Sequence, residues 1–446
     1  MPGIRLCIVG GGSAYMTSMF SRLAHFALEG GLAGSEVVLY DVDANNARLM
    51  GDWGRAAAKH QGIPLTFEES TDLDEALRGA DFVLSTFRTG GLQHRYLDET
   101  VPLKYGELGQ ETTGVGGIFM ALRCIPHVVK IAQAIQKNCP NAWLINYTNP
   151  TELVCDASIR AGHAKTIGLC DGVYGVKWLA AKLLGLPIAR GKDVEAYVAG
   201  LNHCTWTLQL YFQGRDLYKE MDALTANVDM SGEGEVIGDG PLNGIECDAI
   251  RLYRYYGLLP GSIYYSRYYY TLKQVLKIFS DPKFEHRSQW LMQRAATKRQ
   301  RIREQLTSGQ ASFGAFDEED AAHGDQAIGA VHAIANDTRE LETANVVNNG
   351  AVPNLPNDAI VEVTCMMGAH GAIPAAAGPL PRSVQGIIRS VYDHAVLTVD
   401  AAMTGDRKLV MQAAMAHPCH RDFHVMEKLI DEMFRVHKEY LPQFKD

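Results

Sequence analysis

An apolar run over residues 4–9 ends on three consecutive glycines, Gly10, Gly11 and Gly12, and a helix-like amphipathic stretch over 15–28 follows at once. A buried strand that breaks on glycine and resumes as a helix is the opening of a βαβ unit. It commits the chain to a parallel sheet with crossover helices. The pattern then repeats. Residues 36–40 read as a second strand closed by Asp41, and further apolar runs stand at 81–86, 142–146 and 166–169, with helix-like stretches such as 118–137 between them. At 446 residues the chain is longer than one core usually organises. The alternation decays after Leu184, so a Rossmann-like domain is expected over 1–195 and a second, α+β domain over 196–446. In the second part Val194–Leu201 and 205–212 read as strands, 226–245 as a loop rich in Gly, Asp and Glu, and 282–306, 383–405 and 420–440 as helices. The expected class is α/β: a doubly wound parallel sheet plus an α+β C-terminal domain.

Charge and cysteine usage narrow the partners. A formal net charge of −9 argues against a phosphate-backbone ligand, which needs a concentrated basic surface. It is compatible with a small anion held by two or three arginines. Nine cysteines without regular spacing fit a reducing compartment better than a disulfide framework. No apolar run reaches about 18 residues, and the first strand begins almost at the first residue. The expectations are a cytoplasmic protein that engages neither nucleic acid nor membrane.

The glycine triplet is a dinucleotide fingerprint in part. Gly10 permits the tight turn and Gly12 lets backbone approach a pyrophosphate, while the following helix start offers amide donors. The residues expected to hold the cofactor are Gly10, Gly11, Gly12, Ser13, Ala14 and Tyr15; Tyr15 stands where the pattern has its last glycine. Asp41, ending the second strand, would accept hydrogen bonds from the adenosine ribose, which favours NAD over NADP. Asp43 is a second ribose candidate.

Two further residues suit a metal. Cys170 and His203 each follow an apolar, strand-like run, with Asp171 and Asn202 beside them. Singly, each reads as ordinary core. Together a soft thiolate and an imidazole make two metal ligands, too few for a structural zinc but suited to a site with open positions for substrate oxygens. Manganese, iron, cobalt and nickel all remain compatible.

Several blocks in order along the chain resemble glycoside hydrolase family 4: Arg88, Gly90-Gly91, Arg95, Asp98-Glu99, then Gly109-Gln110-Glu111-Thr112-Thr113-Gly114 and Gly116-Gly117, then Asn146-Tyr147-Thr148-Asn149-Pro150, Cys170-Asp171, Asn202-His203 and the closing Glu439-Tyr440-Leu441-Pro442-Gln443-Phe444. The resemblance implies a fold like that of lactate and malate dehydrogenases. It also implies dependence on NAD and a divalent metal, usually Mn2+, and glycoside hydrolysis by an exception to the two-carboxylate scheme. In that chemistry hydride leaves the sugar C3 for NAD and the C2 proton is removed. The C1–O bond is then eliminated, water adds, and the hydride returns. By resemblance Cys170 and His203 carry the metal, Asp171 protonates the leaving group, and Asn149 and Glu111 face sugar hydroxyls. The base is a tyrosine of the segment 260–270, Tyr265 first, with Tyr264 and Tyr268 as alternates.

The same resemblance bears on the substrate. Cys170-Asp171 is similar to the α-specific 6-phosphoglucosidases, and Arg95, with Arg88 or Arg267, would clamp a phosphate by paired N–H donors. The continuation Gly172-Val173-Tyr174-Gly175 differs from the Met-Pro of those members, so an unphosphorylated α-glycosidase (glucosidase, galactosidase or glucuronidase) stays open. From another class, a 2-hydroxy-acid dehydrogenase on this fold would show an Arg–His–Asp set and no metal. Apolar helices in the second half point to a homodimer or homotetramer.

Overall fold

The computed structural model describes residues 3–232, 242–420 and 422–444, with backbone alone at 317–323 and 325. Its strands are β1 (Arg5–Val9), β2 (Ser35–Tyr40), β3 (Leu65–Ser70), β4 (Phe82–Ser85), β5 (Trp143–Asn146), β6 (Thr166–Gly168), β7 (Val194–Leu201), β8 (Cys204–Phe212), β9 (Arg215–Asp216), β10 (Glu340–Val347), β11 (Ile360–Gly368) and β12 (Gly371–Pro374). All twelve join one sheet in the order β3-β2-β1-β4-β5-β6-β10-β11-β7-β8-β9, with β12 on β11. The first six pair in parallel. The order 3-2-1-4-5-6 is the Rossmann order, and it reverses between β1 and β4, where such sheets bind ligands beyond the carboxyl ends of their strands. The expected α/β class with a doubly wound parallel sheet is what the chain forms.

The antiparallel strands extend the sheet past β6. Gly168 of β6 pairs with Asn345 of β10, Asn345 with Glu362 of β11, and Glu362 with Gly200 of β7. This row crosses four strands. Cys170 follows it by two residues at one end, and His203 by three at the other.

Local chemistry sets the helix limits. The expected helix over 282–306 runs Arg287–Ser308, because His286 and Gln289 form a reciprocal cap at its start and Gly309, at φ +69°, ends it. Of the expected loop over 226–245, residues 233–241 lie outside the described residues, and a helix, Gly244–Tyr256, opens with an Asn243–Glu246 capping box. The long helix Gly114–Asn138 is apolar and long enough to cross a membrane, but 78% of its most apolar 18-residue window is buried inside the protein. It packs in a core with the helices Arg382–Thr404, Arg407–Ala416 and Phe423–His437.

Candidate active site

The glycine loop is dictated by close approach. Gly10 has φ +95°, and a Cβ there would stand 2.8 Å from the Thr86 carbonyl oxygen, in the loop after β4. A Cβ on Gly12 would lie 2.9 Å from both the Ala47 backbone nitrogen and an Asp41 carboxylate oxygen. Gly10 and Gly11 both donate to the Tyr40 carbonyl, and Ser13 donates back to Gly10. Ala14 is buried and Tyr15 immediately precedes the helix Met16–Leu28. The two ribose candidates separate here. Asp43 caps the helix Ala44–Gln61, accepting from the Asn45 and Asn46 N–H groups. Asp41 faces the glycine loop instead, accepting from the Gly12 N–H at 2.9 Å. A glycine cradle beside a strand-end carboxylate, at the reversal of strand order, fits a dinucleotide.

Cys170 and His203 meet although 33 positions separate them, with Sγ 3.4 Å from Nε2. Leu201 and Cys204 pair as the ends of a hairpin, so Asn202 and His203 form its two-residue turn, with His203 at φ 62°. Burial lowers the His203 pKa to about 3, so the ring is neutral near pH 7. Burial, reinforced by Glu362 and Asp171, pushes the Cys170 thiol well above its usual range. Its thiolate therefore needs a cation beside it. His203 Nδ1 finds no hydrogen-bond partner among the described residues. Among those residues no three His, Cys, Asp or Glu side chains converge as a metal cage. The donor set is thus a soft sulfur and a neutral imidazole, spaced as one ion would span with bonds of about 2.0–2.3 Å. It fits a divalent transition metal that keeps open positions.

Tyr265, on the helix Ile263–Tyr270, stacks on His203 with ring centroids 3.3 Å apart and planes 9° apart. Tyr264 packs against Gly175, and Tyr268 turns toward Phe279. Arg267 lies over Tyr268 and Phe279. Of the three tyrosines Tyr265 is the one against the imidazole. Burial, with charge at Cys170 and Asp171, holds its phenol well above 10. Arg95 is close enough to interact with that phenol. Asp171 opens a short turn after Cys170 and is electrostatically coupled to His203, Tyr265 and Glu362.

Glu111 is clamped by both predicted arginines. Arg88 donates to one carboxylate oxygen and Arg95 to the other at 2.9 Å. Burial opposes its ionisation, but the two guanidiniums outweigh that and hold the carboxyl below its ordinary range. Arg95 also bonds Glu99 at 2.7 Å, so two carboxylates already occupy it, while Arg88 is the more exposed of the pair. Asn149 stands in the loop after β5, where its side-chain oxygen accepts from Thr151.

Two supporting residues carry no motif. Glu362 accepts from Asn202 at 2.8 Å. Gln326, on the helix Asp317–Asn336, donates to the Cys170 carbonyl at 3.1 Å and accepts from the Tyr147 hydroxyl at 3.0 Å. A glutamate inside the apolar run 360–363 is the one sequence signal that marked either of them, since a charge there must be paired.

Known proteins agree with this geometry. The model of the family 4 glycosyl hydrolases matches residues 5–186, and that of their C-terminal domain matches 198–420. A probable 6-phospho-beta-glucosidase of Bacillus subtilis is 32% identical, over 99% of this chain and 98% of its own. A 6-phospho-alpha-glucosidase from gut microorganisms, solved with NAD and Mn2+, superposes with a TM-score of 0.87 at 25% identity, over 99% of this chain and 100% of its own. The 6-phospho-beta glucosidase of Thermotoga maritima, solved with manganese, NAD+ and glucose-6-phosphate, gives 0.82 at 25% identity, over 98% and 99%. A lactate dehydrogenase of Eimeria maxima shares the fold alone, with a TM-score of 0.53 at 17% identity. A chain matched along nearly its whole length by both family models belongs to glycoside hydrolase family 4.

Proposed function

We propose that this chain hydrolyses the glycosidic bond of 6-phosphorylated glucosides, with NAD and a divalent metal, Mn2+ first, as cofactors. The observation that carries the reading is the Cys170–His203 pair, with Tyr265 stacked on it, in a chain whose β1–β4 switch point bears a glycine cradle. NAD would lie along Gly10 to Tyr15 with its ribose at Asp41, and the metal at Cys170 and His203. Bound there, the two supply a reversible hydride acceptor and a Lewis acid for the sugar oxygens.

The chain's own residues do the proton work. Tyr265 takes the C2 proton, and Arg95 favours its phenolate. Asp171 gives a proton to the leaving oxygen. Glu111, locked by Arg88 and Arg95, is an ionised acceptor for sugar hydroxyls, and Asn149 is a second contact. Arg88, the more exposed of the two guanidiniums, is the better phosphate donor. Elimination after C2 deprotonation needs no nucleophile opposite the leaving group, so one set of residues can serve either anomer. We keep α-linked phosphoglucosides as the first substrate. Relatives named for both linkages give this order no further support.

The test is a panel of p-nitrophenyl glycosides in both anomers, with and without 6-phosphate, assayed with NAD, Mn2+ and thiol. The 6-phosphoglucosides are expected to turn over without net NADH, and deuterium at C2 to wash out into water. Stoichiometric NADH would make the chain a dehydrogenase, and full retention of label would point to direct displacement at C1.

We further infer a homodimer or homotetramer. Leu341, Met366 and Ile373 are exposed side by side, in register on β10, β11 and β12. Light scattering decides this. Nine buried free cysteines are in line with a reducing, cytoplasmic setting.

A further inference from the structure

A carboxylate from the far half of the chain stands behind both members of the thiol–imidazole pair. Glu362 lies in the middle of the row Gly168–Asn345–Glu362–Gly200 and is 1% exposed. Its Oε1 accepts from Asn202 Nδ2 at 2.8 Å and from Asn345 Nδ2 at 3.2 Å. Its other oxygen meets no hydrogen-bond donor among the described residues. Asn202 is 4% exposed, and its side chain lies beside the Cys170 thiol. Its backbone runs straight into His203, which holds left-handed φ, a conformation a residue with a Cβ keeps only when its surroundings impose it. One asparagine thus places its side chain beside the sulfur and carries the imidazole on its main chain, and Glu362 holds that asparagine at 2.8 Å.

Packing does not require a carboxylate here. A buried charge can be replaced by an apolar side chain of similar volume at little loss of stability, whereas the groups behind metal ligands govern how well those ligands are aimed. We propose that Glu362 is a positioning residue for the metal pair: acting through Asn202, it sets the Cys170 sulfur and the His203 ring in the arrangement that takes up the divalent cation. This rests on the assignment of the metal to Cys170 and His203.

The experiment uses the full-length protein stripped with chelator, and Mn2+ itself as probe. Free Mn2+ is followed by its paramagnetic resonance signal, NAD affinity by calorimetry, and folding by thermal melts in chelator. Glu362→Met, which keeps the volume and removes the acceptor, is expected to weaken Mn2+ binding by roughly ten- to a hundredfold. NAD affinity and the chelator melt should stay at wild-type values. Glu362→Gln retains an acceptor for Asn202 and should recover most of the Mn2+ affinity. Mn2+ bound by Glu362→Met as tightly as by wild type overturns the proposal, as does a parallel loss of NAD affinity, which would mark a general structural role. If Glu362→Met does not fold, Asn202→Ala takes its place with the same expected outcome and the same overturning results. Cys170→Ser, run alongside, separates the two readings. If it too binds Mn2+ normally, the metal assignment itself is wrong. If it loses Mn2+ while Glu362→Met does not, only the role of Glu362 falls.

Discussion

Cys170 is a poor acid and His203 a poor base in the same small volume, for the same reason: burial disfavours their charged forms. A neutral imidazole is ready to bind a metal, and a thiol gives up its proton only when a cation arrives. Cys170→Ser and His203→Ala should therefore each abolish Mn2+ binding while NAD binding, proposed at the glycine loop, remains. Equilibrium dialysis with Mn2+ and calorimetry with NAD check this, and full metal affinity in either variant would remove the pair as ligands. Tyr265 makes a second residue-level case. Its ring packs on His203, so Tyr265→Phe keeps the stack and deletes only the hydroxyl. A drop in kcat of about 10²–10⁴-fold with unchanged NAD and Mn2+ affinity is expected if the phenol moves a proton. Steady-state kinetics beside the two binding assays test it. Which residues could be found from sequence follows the same physics. Cys170, Asp171, His203 and Tyr265 sit in local motifs, where neighbours in sequence carry the signal. Glu362 and Gln326 act on partners 160 and 156 positions away, and no local pattern records such a contact.

At the scale of elements, the parallel half was readable because each strand is a short apolar run ending in a turn, with a helix before the next. Many expected residues of that half follow a strand's carboxyl end directly, as with Gly10 after β1, Asp41 after β2 and Cys170 after β6, whereas Arg95 lies on the helix Gly91–Thr100 and Glu111 in the segment before the helix Gly114–Asn138. β10 and β11 were not readable. β10 carries Glu340, Glu342, Thr343 and Asn345, and these polar residues break the apolar period that marks a strand; Glu342 accepts from Gln326 and Tyr174, and Asn345 donates to Glu362 across the sheet. The helix Asp317–Asn336 was also missed, though it ties the two sites together. Gly324 on it would place a Cβ 2.5 Å from the Ser18 carbonyl oxygen in the helix after the glycine loop, and two residues later Gln326 holds the Cys170 carbonyl. Gly324→Val should push these helices apart. A loss of about 1–3 kcal/mol in urea unfolding is expected, together with weaker binding of NAD. A variant with both unchanged would show that the contact yields without consequence.

For the whole molecule, one sheet runs through both halves of the chain, and large helices bury polar groups, some of them around a small cavity that Asn202 also lines. His394 is the clearest of these. It lies 3% exposed on the helix Arg382–Thr404, its Nδ1 2.9 Å from the Ala413 carbonyl on the neighbouring helix, with His417 edge-on at 4.6 Å. Burial lowers its pKa from 6.5 to about 4; the Ala413 carbonyl opposes that shift and charge on His420 adds to it. The unfolded chain therefore takes up this proton as pH falls below 6.5, while the folded chain does not until about 4. Stability from His394 is complete above pH 6.5 and drains away across that window, because the unfolded state binds more protons there. The loss approaches roughly 3 kcal/mol at the acid end. Urea midpoints should fall from pH 7.5 to 5, and His394→Gln, which can still donate to the Ala413 carbonyl without titrating, should flatten that part of the slope. An unchanged slope in the variant would assign the acid sensitivity to other buried groups and leave His394 as a neutral packing residue.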